Sequence, residues 1–150
     1  MEEQRDIHEL SRRINSLLNK LERQRRLFMS KALEGTGLHG IMHRIILILE
    51  KNPGSSQEFI AERLSLEKGN NARLARELED MGLLFRTMDE SNRRQYKIFL
   101  TDKGRELVPD IRKALSEWNE MINEGLESKE QEALAGLLLK MLENVEEHKG

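Results

Sequence analysis

Between residues 63 and 104 the chain lays out four features in a fixed order. A cation-studded segment, Lys68-Gly-Asn-Asn-Ala-Arg-Leu-Ala-Arg76, is followed by Gly82-Leu83. A basic turn, Asn92-Arg93-Arg94, then lies between two short β-prone runs, and Leu100-Thr101-Asp102-Lys103-Gly104 closes the region. At 3.6 residues per turn, positions 71, 74, 75 and 78 share one face of the first segment. Leu74, Ala75 and Leu78 make that face the inner one, so Lys68, Gly69, Asn70, Arg73, Arg76 and Glu77 point outward. A helix with one apolar face, then a hairpin, then a new helix start is the order of a winged helix-turn-helix.

The rest of the chain supplies helices around that device. Leu10, Ile14, Leu17, Leu21 and Phe28 continue a heptad seam broken only by Gln24, predicting a helix over about 3–33. At 1.5 Å per residue it runs roughly 45 Å, so part of its stripe is expected to meet another subunit, with packing inside one chain as the plain alternative. Gly35-Thr-Gly37 breaks it, and a second apolar helix is predicted from Leu38 to Leu49. Asn52-Pro-Gly54 is a turn, and Ser55-x-x-Glu58 reads as a capping box for a third helix through Arg63. Ser65-Leu66 leads to the fourth helix over about 67–80, ended by Gly82. Leu83–Arg86 and Gln95–Leu100 are strand candidates around the polar tip 88–92. Thr101 caps a fifth helix over 102–123, bent at Pro109. Ser128-x-x-Gln131 caps a last one striped by Leu134, Leu137, Leu138, Met141, Leu142 and Val145. The expectation is a mainly α, single domain over 1–150. A winged helix-turn-helix fills about 38–101, with three core helices and a two- to three-stranded wing, and long dimerisation helices lie at about 3–33 and 102–147.

Of the 150 residues, 35% are charged and only 4% aromatic, with two prolines, which suits helices better than a β-sandwich. With no cysteine there are no disulfides, thiolate metal sites or thiol redox sensing. No apolar run approaches the roughly 20 residues that span a bilayer, and Met1-Glu-Glu-Gln-Arg-Asp6 lacks a signal-peptide pattern, so a cytoplasmic protein is expected. The net charge of −2 is unevenly placed. Residues 63–105 carry ten Lys or Arg against seven Asp or Glu, and residues 121–150 carry three against seven. Such a division orients a molecule in the field of a polyanion.

Arginine pairs bidentately with guanine O6 and N7, and asparagine with adenine N6 and N7, so Asn70 and Arg73 are the side chains expected at base edges. Lys68 and Arg76 are expected at phosphates. Arg93 and Arg94 at the wing tip suit a narrow minor groove. The bland alternatives are an ordinary solvated helix and an edge hairpin charged against aggregation. His39 and His43, four apart, could face one metal ion, but a third ligand would have to come from a distant Glu or from His8, so no metal and no cofactor are expected. Nothing suggests an enzyme. There is no cysteine nucleophile, phosphate-cradling glycine loop or Gly-x-Ser-x-Gly, and Gly35-Thr-Gly37 follows a helix rather than a strand.

These residues resemble the multiple-antibiotic-resistance regulator (MarR) family of bacterial and archaeal transcription factors. The family pattern Asp-x-Arg, five residues, Leu-Thr-x-x-Gly is met by Asn92-x-Arg94, five residues, Leu100-Thr101-x-x-Gly104. Gln57 to Leu64 resembles the family's third helix, and Leu78 to Leu83 with Arg86 resembles the end of its recognition helix. The resemblance implies a sequence-specific DNA-binding repressor, with residues 67–77 in the major groove and Arg94 in the minor groove of a pseudo-palindromic operator. It implies a homodimer joined by the first, fifth and sixth helices, with Leu10, Ile14, Leu17, Leu21, Leu134, Leu138 and Met141 at the interface. It further implies release by a small effector, such as an aromatic anion, in a pocket between dimer helices and winged domain, with His39, Met42, His43 and Arg86 contributing. A winged domain that binds proteins instead of DNA, or a metal-responsive regulator, is the alternative. Two departures stand out. Asn92 replaces a carboxylate that would orient an arginine. Asn71 takes an inward, usually apolar position, where it must find partners or leave polar groups unpaired at about 1 to 3 kcal/mol.

Overall fold

A computed structural model describes residues 2–149, which form two compact units, one up to Leu115 and one from Ser116. The chain is mainly α, with helices α1 (Glu2–Ala32), α2 (Met42–Lys51), α3 (Gln57–Leu64) and α4 (Lys68–Asp80) preceding the strands β1 (Leu84–Met88) and β2 (Tyr96–Leu100). Helices α5 (Asp102–Glu106), α6 (Val108–Asn123) and α7 (Ser128–Glu147) follow. This is the expected winged helix-turn-helix, with α2, α3 and α4 as its helices and the antiparallel β1–β2 hairpin as its wing.

The core of the first unit forms where three amphipathic faces meet. Ile45, Ile46 and Leu49 of α2 are fully buried, each stabilising the fold by roughly 1.5–3 kcal/mol, and they share the core with Ile60 of α3 and Leu78 of α4. Only the end of α1 joins this core, through Met29 and Leu33, while Leu10, Leu17 and Leu21 stay about half exposed. The sheet register pairs Leu84 with Leu100 and Arg86 with Ile98. Leu84, Ile98 and Leu100 face the core, and Phe85 stacks on Phe99 across the other face with centroids 5.5 Å apart. Tyr96 continues the alternation of Ile98 and Leu100 but lies in the wing beyond the core, so it is exposed.

Several element ends differ from expectation, each for a local reason. The second helix starts at Met42, not Leu38, because Gly37 and Gly40 take positive φ. Thr36 closes a turn there, donating its hydroxyl to the Leu33 carbonyl (2.6 Å) and accepting from the Leu38 N–H (3.1 Å). The cap of α3 is Ser56, whose Oγ accepts from Phe59 N–H at 3.1 Å. Ser55 is spent elsewhere, its carbonyl taking the Ile98 N–H (3.0 Å) in a bridge that adds a one-residue third rung to the wing. Glu127, not Ser128, caps α7, with Glu130 Oε2 accepting from its backbone N–H at 2.8 Å. The single bent helix expected over 102–123 is two helices broken at Leu107, just before Pro109, which has no N–H to offer the preceding turn.

The Leu-Thr-x-x-Gly motif holds the joint between α4 and the wing. Thr101 caps α5, its Oγ1 accepting from Gly104 N–H (3.1 Å), while its hydroxyl donates to the Gly82 carbonyl (2.6 Å) and its backbone N–H to the Leu83 carbonyl (3.0 Å). Lys103 Nζ donates to the Met81 carbonyl at 2.8 Å. Gly82 turns out of α4 with φ +73°, a left-handed conformation that glycine adopts freely. Gly104 lies so close to Leu83 that a Cβ there would drive into the carbonyl oxygen. Gly104→Ala is therefore expected to destabilise the protein by about 3 kcal/mol. Gly69→Ala, facing open space on α4, should be neutral or stabilising by up to about 1 kcal/mol. Urea melts of the two variants check this, and equal midpoints would refute the close-approach argument.

Candidate nucleic-acid interface

The inner face of α4 is as its periodicity requires, with Asn71, Leu74, Ala75 and Leu78 all buried. Asn71 meets both halves of its expectation. Its Nδ2 donates to the Gln57 carbonyl at 2.8 Å, tying α4 to the start of α3, while Oδ1 finds no donor among the described residues. Lys68, Asn70, Arg73 and Arg76 are on the exposed side. Lys68 Nζ comes within 3.5 Å of Glu58 Oε1 but keeps most of its side chain in solvent. Arg73 is more engaged: Nη2 donates to Asn70 Oδ1 (3.0 Å) and Nη1 lies 2.5 Å from Glu77 Oε1. The two side chains expected at base edges are thus already in contact with each other.

At the wing, Arg93 and Arg94 are exposed, and among the described residues neither forms an ion pair. The tip is organised by Asp89, whose Oδ1 accepts from the Ser91 hydroxyl (2.7 Å) and backbone N–H (3.0 Å). Those two bonds hold the Asp89 carboxyl below its usual range. Among the described residues the Asn92 side chain hydrogen-bonds to no arginine side chain; its Oδ1 accepts from the Arg94 backbone N–H at 3.3 Å, so an amide stands where the family pattern has a carboxylate. A cleft of about 280 Å³ runs between α4 and the wing, with Lys68, Arg86, Arg94, Gln57 and Tyr96 in its walls. Folding therefore brings Lys68 and Arg94, 26 positions apart, to one surface.

Of the four residues expected around an effector, His39 and His43 line one crevice and Met42 and Arg86 lie elsewhere. Met42 is fully buried in the core. Arg86 on β1 lies in the wing cleft, its Nε 3.0 Å from Glu79 Oε2. His39 is exposed, and its Nε2 donates to Glu77 Oε2 at 2.7 Å. His43 lines a cleft of about 420 Å³ that also holds Arg25, Arg44, Lys51, Arg63 and Leu115, and on its other side it shares a small crevice with His39, Met29, Leu33 and Leu38. Residues 38–41 are a turn rather than the first turn of α2, so the helical spacing assumed for His39 and His43 does not apply. Among the described residues no three His, Asp or Glu side chains gather as a metal ion would need.

Sequence reasoning missed Arg25, Arg44 and Arg63, which come from three different elements and show no shared spacing. Burial lowers the Arg44 pKa from its ordinary value, aided by the nearby charge of Arg25. His43 is pushed down to about 4 by burial and then by Arg25 and Arg44. Its folded pKa lies below the unfolded one, so the unfolded chain takes up a proton below about pH 6.5 and the folded chain does not until about pH 4. Stability is lost as pH falls through that window. Against His43→Gln, the wild-type unfolding free energy is expected to drop by about 2 kcal/mol more between pH 7 and 4.5, measured by urea titration. Parallel pH profiles would assign the titration elsewhere.

Comparison with known proteins agrees with this architecture. The model of the MarR family matches residues 42–96. An uncharacterised HTH-type transcriptional regulator of Bacillus subtilis (strain 168), YybA, is 32% identical over 96 residues, which is 64% of this chain and 64% of that protein's length. A MarR transcriptional regulator from Methanosarcina mazei Go1 has a crystal structure 31% identical in sequence, with TM-score 0.79 over 89% of this chain and 96% of that one. S. aureus MepR, solved in complex with DNA, shares the fold at 23% identity, with TM-score 0.82 over 87% of this chain and 96% of that one. With the Methanosarcina mazei regulator matched at 31% identity along 96% of its length, and with the Leu-Thr-x-x-Gly clamp and wing in place, the chain belongs to the MarR family.

Proposed function

We propose that the protein is a transcriptional regulator that binds double-stranded DNA, with α4 in the major groove and the wing in the minor groove. The observation that carries this reading is the shared surface of Lys68 and Arg94 across the wing cleft, which lets one phosphate backbone run between helix and hairpin. The exposed, cation-bearing face of α4 and the open guanidinium groups of Arg93 and Arg94 support it. Its relative YybA carries the name of a regulator, and MepR is a fold relative captured on DNA. Asn70 and Arg73 read base edges, Lys68 and Arg76 hold phosphates, and the protein acts in the cytoplasm, as a repressor. Arg94→Ala is expected to weaken binding to all duplexes and lower the salt slope by about one unit. Arg73→Ala should cost about 1–3 kcal/mol at particular base pairs and relax preference there. Fluorescence anisotropy with the DNA upstream of the gene and a shuffled control, at several salt concentrations, tests both. Weak and equal binding of wild type to both DNAs would favour a protein-binding winged domain.

The active species in this reading is a homodimer. In α1, Leu10, Leu17 and Leu21 are exposed and Ile14 is half-buried, and in α7, Leu134, Leu138 and Met141 are exposed, with no residue of α7 buried. Apolar stripes of that length on two helices are the mark of a surface that another chain covers. Charge supports the pairing: residues 2–32 carry eight Lys or Arg against five Asp or Glu, while residues 121–150 carry three against seven. Dimerisation of this kind spaces two recognition helices about 34 Å apart for half-sites roughly 10 base pairs apart. Leu138→Glu is expected to leave the protein monomeric in sedimentation at micromolar concentration and to abolish tight operator binding. A dimeric Leu138→Glu protein would place the interface on another surface.

The same reading gives the Arg44 cleft an effector. Arg25, Arg44, Lys51 and Arg63 surround about 420 Å³, His43 stays neutral there, and burial already disfavours the charge on Arg44. A small anion, aromatic or otherwise, relieves that penalty by ion pairing. Its binding against α2 and α3 shifts the helices that carry α4, and repression ends.

A further inference from the structure

We propose that Glu77 and His39 set the DNA selectivity of this protein, by holding the guanidinium of Arg73 in place and away from phosphates. The proposal rests on the DNA-binding reading above and adds two residues to it, neither of which was expected to act in recognition.

An Arg–Glu pair one turn apart on an exposed helix is by itself common and weak. Here the carboxylate is held from a second element. Both Glu77 oxygens are occupied, Oε1 by Arg73 Nη1 (2.5 Å) and Oε2 by His39 Nε2 (2.7 Å). His39 stands in the turn before α2, 38 positions away in sequence, so Glu77 is braced against the winged core rather than free to sweep the surface of α4. On the other side Arg73 Nη2 donates to Asn70 Oδ1 at 3.0 Å. The result is a chain of contacts, His39 to Glu77 to Arg73 to Asn70, that crosses the outward face of the recognition helix.

Two consequences follow for a guanidinium so placed. Its five N–H donors form a planar fork, and two anchored positions leave others for a guanine edge, so the fork meets DNA already oriented. Its charge is balanced by a neighbour, so a phosphate gains little from it. A long, flexible arginine binds any duplex through phosphates, and that non-specific term is what sequence readout competes with. Bracing the side chain lowers that term for all sequences, while the operator base pair retains its bidentate contact. His39 is a positioning residue, acting on Arg73 through Glu77.

The test starts with wild-type protein selecting its preferred duplex from a randomised pool. Binding of that duplex and a scrambled one is then measured by anisotropy over a range of salt. In Glu77→Gln, scrambled DNA is expected to bind about tenfold more tightly at low salt, with a salt slope steeper by about one unit, because one carboxylate is lost and one guanidinium freed. Affinity for the selected duplex changes less, so the ratio of the two falls about tenfold. His39→Ala should act in the same direction, and His39→Gln, which keeps an amide donor at the same reach, should restore the wild-type ratio. A mere folding defect would weaken both DNAs together and steepen no slope. Unchanged ratio and slope in Glu77→Gln, with wild type selective, overturns this proposal and leaves the DNA-binding reading standing, as does failure of His39→Gln to differ from His39→Ala. A wild type that enriches no sequence overturns the DNA-binding reading, and this proposal with it.

Discussion

The clamp of Thr101 and Gly104 on residues 81–83 is the constraint from which the winged unit takes its shape. Three consecutive backbone carbonyls at the exit of α4 are each taken: Met81 by Lys103, Gly82 by the Thr101 hydroxyl and Leu83 by the Thr101 N–H. Left alone, carbonyls at a helix end need water or a cap, so satisfying them from α5 fastens the end of the recognition helix to the element after the wing. The strands are then short because they need only bridge that joint, and their register aims Leu84, Ile98 and Leu100 into the core. The wing tip hangs from this frame and is shaped locally by Asp89 and Asn92.

Charge is arranged in the opposite way at the two clefts of this unit. Around α4 and the wing, cations are exposed and two already have acidic neighbours, Glu58 for Lys68 and Glu77 for Arg73, so much of the charge there is balanced within the chain. Around Arg44 the cations crowd together in a partly dry cleft, where Glu22, 3.1 Å from Arg25, offsets only part of their mutual repulsion and lost hydration, and His43 gives up its proton. Anchored, balanced charge suits discrimination between similar surfaces. An excess of positive charge suits capture of an anion.

Much of the fold was legible because helical periodicity reports burial directly. Leu74, Ala75 and Leu78 could face only one way, and Asn71 had to go with them, into a site where it found one partner of the two its amide needs. Caps were less legible, since Ser55 and Ser56 have the same chemistry, and which one caps α3 depends on which is drawn into the bridge to Ile98. The run 38–41 was misread as helix because its apolar residues continue the stripe of α2, while the cost of the glycine conformations at 37 and 40 carries no periodic signal.

Which face of each helix is apolar, where the chain must turn, and the gathering of cations between residues 63 and 105 all follow from residue type and spacing along one element. Which of those cations meet is settled by packing. Lys68 and Arg94 came to one cleft, Arg25, Arg44 and Arg63 to another, and His39, beside His43, reached across to Glu77. Such groupings join elements far apart in sequence, and their geometry is set by how the helices pack, which no local pattern encodes.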